Sequence, residues 1–192
     1  MISKLIRRYE VGTAPMTQMP DKRRLLPFMV LCLLGFVTTA RADFVYVLNS
    51  TDPSIVKIDS RTGEEVIRID SLREVHHLVL APGGKELLIA DSAANEILFV
   101  EPGSGTVLRR ERISNPYHLD FSPDGRLLVI ASLRRGQVDI YDANGLKLLE
   151  RMRAGNKPSH IAFSPDSRFA FVTIQGDGTV IAIDLQERRI VW

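Results

Sequence analysis

Three histidines recur at nearly one interval. His77, His118 and His160 each open the same nine-residue pattern: His-Leu-Val-Leu-Ala-Pro-Gly-Gly-Lys, His-Leu-Asp-Phe-Ser-Pro-Asp-Gly-Arg and His-Ile-Ala-Phe-Ser-Pro-Asp-Ser-Arg, spaced by 41 and 42 residues. Imidazoles brought round one axis would offer neutral nitrogen donors to a transition metal or a haem iron. The structural alternative is that each histidine bonds a neighbouring carbonyl at a turn. His77, His118 and His160 are therefore the candidate cofactor-binding residues, with no metal ligand and no catalytic residue assigned. His76 is a fourth imidazole, which strict alternation along a strand would turn to the face opposite His77.

Acids recur with the same period. Asp59, Glu101, Asp142 and Asp184 each end an apolar run. Turn sequences follow, such as Arg61-Thr62-Gly63 and Asn144-Gly145, so these carboxylates are expected to accept turn N–H groups rather than hold a metal. Asp124, Asp166 and Asp177 read the same way. Arg109, Arg110, Arg112, Arg134 and Arg135 give local positive charge in what read as loops. They are open to an anionic ligand or, more simply, to solvent. The chain has no Gly-x-Ser-x-Gly elbow, no His-Glu-x-x-His and no phosphate loop.

The elements that must position these residues follow from the repeat. Two independent markers share a period of about 42 residues over four units. Each unit divides into four short strands. In the last, Ile161–Ser164, Phe169–Ile174, Thr179–Asp184 and a strand beginning at Arg189 are separated by Pro165-Asp166-Ser167, Gln175-Gly176-Asp177-Gly178 and Gln186-Glu187-Arg188. No segment has a helical apolar period. Several strands are apolar on both faces, so each sheet needs neighbours on two sides. These features predict an all-β fold, a β-propeller of four-stranded blades, with blades at about 44–75, 76–115, 116–157 and 158–192. A β-sandwich would rarely repeat its turns in phase.

The segments Val45-Tyr46-Val47-Leu48-Asn49 and Phe171-Val172-Thr173 resemble the Tyr-Val-Thr-Asn motif of the YVTN-repeat β-propellers. Ser122-Pro123-Asp124-Gly125-Arg126 and Val180-Ile181-Ala182-Ile183-Asp184 also look like that family. Blades two and three depart from the naming motif, with Ile89-Ala90-Asp91 and Leu128-Val129-Ile130-Ala131-Ser132 in its place. The resemblance covers about 150 residues and implies a propeller related to the cytochrome d1 haem domain and to the sugar lactonases. Such propellers usually have seven blades. About three and a half are present, so the chain is expected to be an N-terminal fragment or truncated frame. An open half-ring would leave sheet edges and apolar faces uncovered, and would aggregate, dimerise or be marginally stable. Trp192, which would normally pack between blades, is expected at such an edge.

Composition adds a compartment. The chain carries 25 Lys+Arg against 23 Asp+Glu. Seven of those bases and two of those acids fall in residues 1–42. The remainder is mildly acidic, which argues against a nucleic-acid partner. Residues 1–42 read as a signal peptide, with Lys22-Arg23-Arg24 before an apolar stretch from Leu25 to Val37 and Ala40-Arg41-Ala42 as the cleavage site. Cleavage after Ala42 implies a periplasmic or secreted protein that meets a membrane only through its leader. The one cysteine, Cys32, lies in that stretch. The mature segment therefore has no disulfide or thiolate site.

These observations point to an exported, non-catalytic binding or scaffold module that presents a propeller face to a protein partner or a small ligand, with no cofactor required. A haem-d1-type or other metal- or redox-associated propeller, holding haem or a divalent metal near His77, His118 and His160, is the first alternative. A lactone hydrolase-like propeller is the second.

Overall fold

The computed structural model describes residues 44–70 and 72–192. The leader and its cleavage site lie outside the described residues. Four antiparallel sheets follow one another along the chain. The first has three strands, β1 (Phe44–Asn49), β2 (Ser54–Asp59) and β3 (Glu65–Ile69). The second has β4 (Val75–Leu80), β5 (Leu87–Asp91), β6 (Glu96–Val100) and β7 (Val107–Arg112). The third has β8 (His118–Phe121), β9 (Leu127–Ser132), β10 (Gln137–Asp142) and β11 (Leu148–Arg153). The fourth has β12 (Pro158–Phe163), β13 (Phe169–Ile174), β14 (Thr179–Asp184) and the two-residue β15 (Arg189–Ile190). Every sheet is a simple meander, so the four are successive blades of a propeller.

The period-2 alternation of strands explains how one blade serves two neighbours. Along β5 and β6, Leu87, Ile89, Leu98 and Val100 face blade one and pack with Ile55 and Val75. Their alternates Leu88, Ala90, Ile97 and Phe99 face blade three and pack with Leu119, Leu128 and Ile130. In blade three, Val129, Ala131, Val138 and Ile140 turn the other way, onto Ala170, Val172, Ile174 and Ile183 of blade four. The far face of blade four leaves Phe171 and Val180 exposed, and Trp192 is 76% exposed.

The turns carry their own chemistry. Ser122 Oγ donates to Asp124 Oδ1 at 2.6 Å, and the Arg126 N–H donates to the same oxygen at 3.1 Å. Ser164, Asp166 and Arg168 repeat this at the same two distances one blade later. Asp59 Oδ1 accepts the Arg61 N–H at 2.8 Å, Asp142 Oδ1 that of Asn144 at 2.8 Å, and Asp184 Oδ1 those of Gln186 and Glu187 at 3.0 Å. Glu101 does the same for Gly103 and Ser104. The in-phase acids thus close turns.

Two expectations need correction, one here and one, His76, at the rim described next. Arg109, Arg110 and Arg112 lie on β7, an outer strand, not in a loop. Arg109 packs over the Phe99 ring, 3.6 Å from its centroid, and pairs with Glu86. Arg110 pairs with Glu96. In the 2–3 connection of blade three, Leu133–Arg135 form one turn of 3-10 helix, closed by Gly136 at φ 64°. A Cβ on Gly136 would stand 2.7 Å from the Gly155 carbonyl oxygen, so glycine is required there on two counts.

Candidate functional site: an imidazole rim

The first strands of blades two, three and four, β4, β8 and β12, lie side by side, each at the same edge of its sheet. Residues in phase on these strands must therefore meet. His77 lies within β4, His118 opens β8 and His160 lies within β12. The His77 and His118 rings stack with centroids 3.8 Å apart and planes 28° apart. His118 meets His160 edge-on at 5.3 Å. All three predicted residues are thus brought together across three blades.

A parallel row was missed. His76 packs on Tyr117 with centroids 4.5 Å apart, and Tyr117 meets His160 edge-on at 6.1 Å. Alternation was expected to send His76 away from His77. A register shift between Val75 and His77 inserts an extra residue, so both histidines meet blade three, His77 at His118 of β8 and His76 at Tyr117 just before it. The signal available in the sequence was phase: His76 and Tyr117 occupy the positions directly before His77 and His118.

Burial sets the charge of the rim. His118 is 7% exposed, and its Nδ1 is buried without a hydrogen-bond partner. Burial, followed by the neighbouring His77 and His160, pushes its imidazole down to about 3. Burial also lowers His77. Asp120 opposes that shift, and His160 adds to it. Near neutral pH these two rings are uncharged and present stacked π faces rather than cationic ones.

Polar groups brace the rim from below. His76 Nε2 lies 3.1 Å from Glu74 Oε1, and Arg134 Nη2 donates to the same oxygen at 2.6 Å, which ties blade two to blade three. Burial raises the Glu74 carboxyl, but the hydrogen bonds from Arg134 and His76 outweigh it and hold the group below the usual range. Asp91, fully buried, accepts the N–H groups of Arg73 at 2.8 Å, Glu74 at 3.0 Å and Ala94 at 3.1 Å. Ser92 Oγ donates to the Pro116 carbonyl at 2.5 Å, and Asn115 Nδ2 to the Ser92 carbonyl at 3.1 Å. Most of these contacts, Glu74 with Arg134, Asp91 with the Arg73 and Glu74 N–H groups, Ser92 with Pro116 and Asn115 with Ser92, need a partner from a distant segment and so leave no local sequence signal. Among the described residues, no group of three or more His, Cys, Asp or Glu is placed to hold a metal ion.

Comparison with known proteins fits this architecture. The family described as YNCE-like beta-propeller matches residues 29–192. Antigen Lp49 of Leptospira interrogans is 27% identical over 146 residues, which cover 70% of this chain and 31% of that protein. Dihydro-heme d1 dehydrogenase of Pseudomonas aeruginosa is 38% identical over 71 residues, 37% of this chain and 14% of that protein. YncE of Salmonella typhimurium is 23% identical over 150 residues, 76% of this chain and 42% of that protein. Among solved structures, hydrazine synthase of Kuenenia stuttgartiensis superposes with a TM-score of 0.68 at 16% identity, covering 78% of this chain and 45% of that one. This last likeness is one of fold. The chain spans less than half the length of each of these proteins.

Proposed function

The chain belongs to the YNCE-like beta-propeller family, and from that premise we propose that it is an exported, non-catalytic binding module whose imidazole rim takes a small planar ligand. One observation carries the reading: five rings from three blades, His76, His77, Tyr117, His118 and His160, form a continuous row of contacts. A row of aromatic rings, with the stacked His77–His118 pair held neutral by burial, suits a flat partner that stacks in turn. Rigid blades hold the rings in place before any ligand arrives, which lowers the cost of binding. Export rests on the leader, with its basic segment, its apolar stretch and the Ala40-Arg41-Ala42 cleavage site.

The test is saturation-transfer NMR on the full chain with a panel of planar heteroaromatic compounds. At least one should bind saturably and lose about tenfold in affinity in His160→Ala, a change equal to one lost stacking contact of ordinary strength. Saturable binding by none of them would end the reading.

A second reading is favoured by the 38% identity shared with dihydro-heme d1 dehydrogenase over 71 residues. Here the rim would meet a haem. The residue types fit, since neutral imidazoles are ordinary haem-iron ligands, and the half-buried His77 and exposed His160 would present the donors, His118 being buried between them. Added haem should then give a shifted Soret band that weakens in His77→Ala and His160→Ala. An unshifted spectrum removes this second reading and leaves the first standing.

A further inference from the structure

Beside the rim, two adjoining clefts share a wall made by Ser92, Asn115 and Arg134. The first, about 220 Å³, is lined by Glu74, His76, Tyr117 and Arg134, among others. The second, about 280 Å³, is lined by Ser92, Ala93, Asn95, Asn115, Arg134 and Arg135. The two differ in charge. The first contains the Glu74 carboxylate. The second is lined by two guanidinium groups and no carboxylate.

Part of the donor set of the second cleft is unspent. Arg134 uses Nη2 on Glu74, on the side of the first cleft, and its side chain is about half exposed. Among the described residues, Arg135 has no carboxylate within 4 Å. The Asn95 side chain is exposed, and its oxygen accepts the Asn115 N–H at 3.0 Å, which turns its amide nitrogen to other partners. Asn115 and Ser92 are spent internally. Asn115 Oδ1 accepts the Arg134 N–H at 2.8 Å, and Ser92 Oγ serves Pro116. What remains is a set of donors with no free acceptor among them, two of the donors charged.

The loop that presents them is also fixed. Leu133–Arg135 form a 3-10 turn stopped by Gly136, whose close approach to Gly155 anchors it against the next blade connection. The Arg134 N–H bond to Asn115 pins the other side. The pinned turn holds two adjacent arginines at one cleft, and a guanidinium binds carboxylate and phosphate oxygens through paired N–H groups.

We propose that the cleft between Arg134, Arg135 and Asn95 is a binding site for a compact oxyanion, a phosphate or a carboxylate group carried by a small molecule. The site stands independently of what occupies the imidazole rim. It gives the basic pair at 134–135 a role that the turn does not require.

The test is isothermal titration of the full chain with inorganic phosphate in one arm and citrate in the other, at low and at physiological salt. Saturable one-site binding is expected in at least one arm, and the arm that binds tells a phosphate from a carboxylate source. Arg135→Gln, which breaks no ion pair, should weaken it about tenfold. Arg188→Gln, on a distant turn, should leave it unchanged. Higher salt should weaken it, because the site is open to solvent. Absence of saturable binding in both arms overturns the proposal. So does equal binding by Arg135→Gln, or equal weakening by Arg188→Gln, and a folded Arg135→Gln spectrum keeps each result interpretable.

Discussion

The two ends of the described chain are joined to their neighbours in different ways. Between blades three and four the contact is dry: Val129, Ala131, Val138 and Ile140 meet Ala170, Val172, Ile174 and Ile183, all fully or almost fully buried. Between blades one and two, Ile55, Val75, Leu87 and Ile89 form a smaller apolar patch, and polar staples are added. Lys57 is only 1% exposed. Its Nζ sits 3.7 Å from the Phe44 ring centroid and donates to the Gly103 carbonyl. Tyr46 donates to the Pro102 carbonyl at 2.9 Å. Both staples grip the turn after β6. The contrast teaches that a repeat can conserve its strand plan while changing the force between neighbours, from area buried to directed bonds. A buried ammonium is tolerated because two rings and a carbonyl stand in for water.

That contrast can be broken by truncation. Ile140→Ala, in the dry junction, should cost about 3 kcal/mol in chemical denaturation, the sum of lost transfer energy and the cavity left behind. A cost below about 1 kcal/mol would show that this junction is not close-packed.

The polar-stapled junction should respond less, through lost hydrogen bonds rather than lost packing. Lys57→Met keeps length and removes the charge, leaving the Gly103 carbonyl without its donor, and should cost about 2 kcal/mol. Tyr46→Phe loses a single hydrogen bond and should cost about 1 kcal/mol. If Lys57→Met stabilised the chain, its ammonium would be a burden rather than a clamp.

Acid sharpens the comparison at the rim, which involves blades two to four and not blade one. His118 titrates near 3 in the folded chain against about 6.5 unfolded, so its neutral form is the one that folding favours. Its contribution is complete above pH 6.5 and declines as pH falls towards 3, as the unfolded chain takes up a proton that the folded one refuses. His77 shifts in the same direction. Stability measured from pH 6.5 down to pH 5, above the range where the turn carboxylates titrate, should fall in the wild type and fall less steeply in His118→Gln. Parallel curves would mean that His118 is not held neutral.

Much of this architecture was legible in the chain. The blade period, the alternation of β5, β6, β9 and β10, and the turn roles of Asp59, Glu101, Asp142 and Asp184 are local matters. They are set by strand geometry and by side chains bonding two or three residues away, so one stretch of sequence contains every participant. The approach of His77, His118 and His160 was also readable, because in-phase positions on stacked blades must lie close. His76 shows where that logic stops. A single extra residue in β4 overrides alternation, and nothing in Val75-His76-His77 announces it.

What only the tertiary structure decided are the pairings between distant loops. Glu74 with Arg134, Ser92 with Pro116, Lys57 with the Gly103 carbonyl, and the cleft shared by Asn95, Arg134 and Arg135 each join segments that no periodicity links. The same is true of the depressed basicity of His118. Composition supplies an imidazole, but its charge depends on how much water the neighbouring blades exclude, and that is a property of packing rather than of residue type.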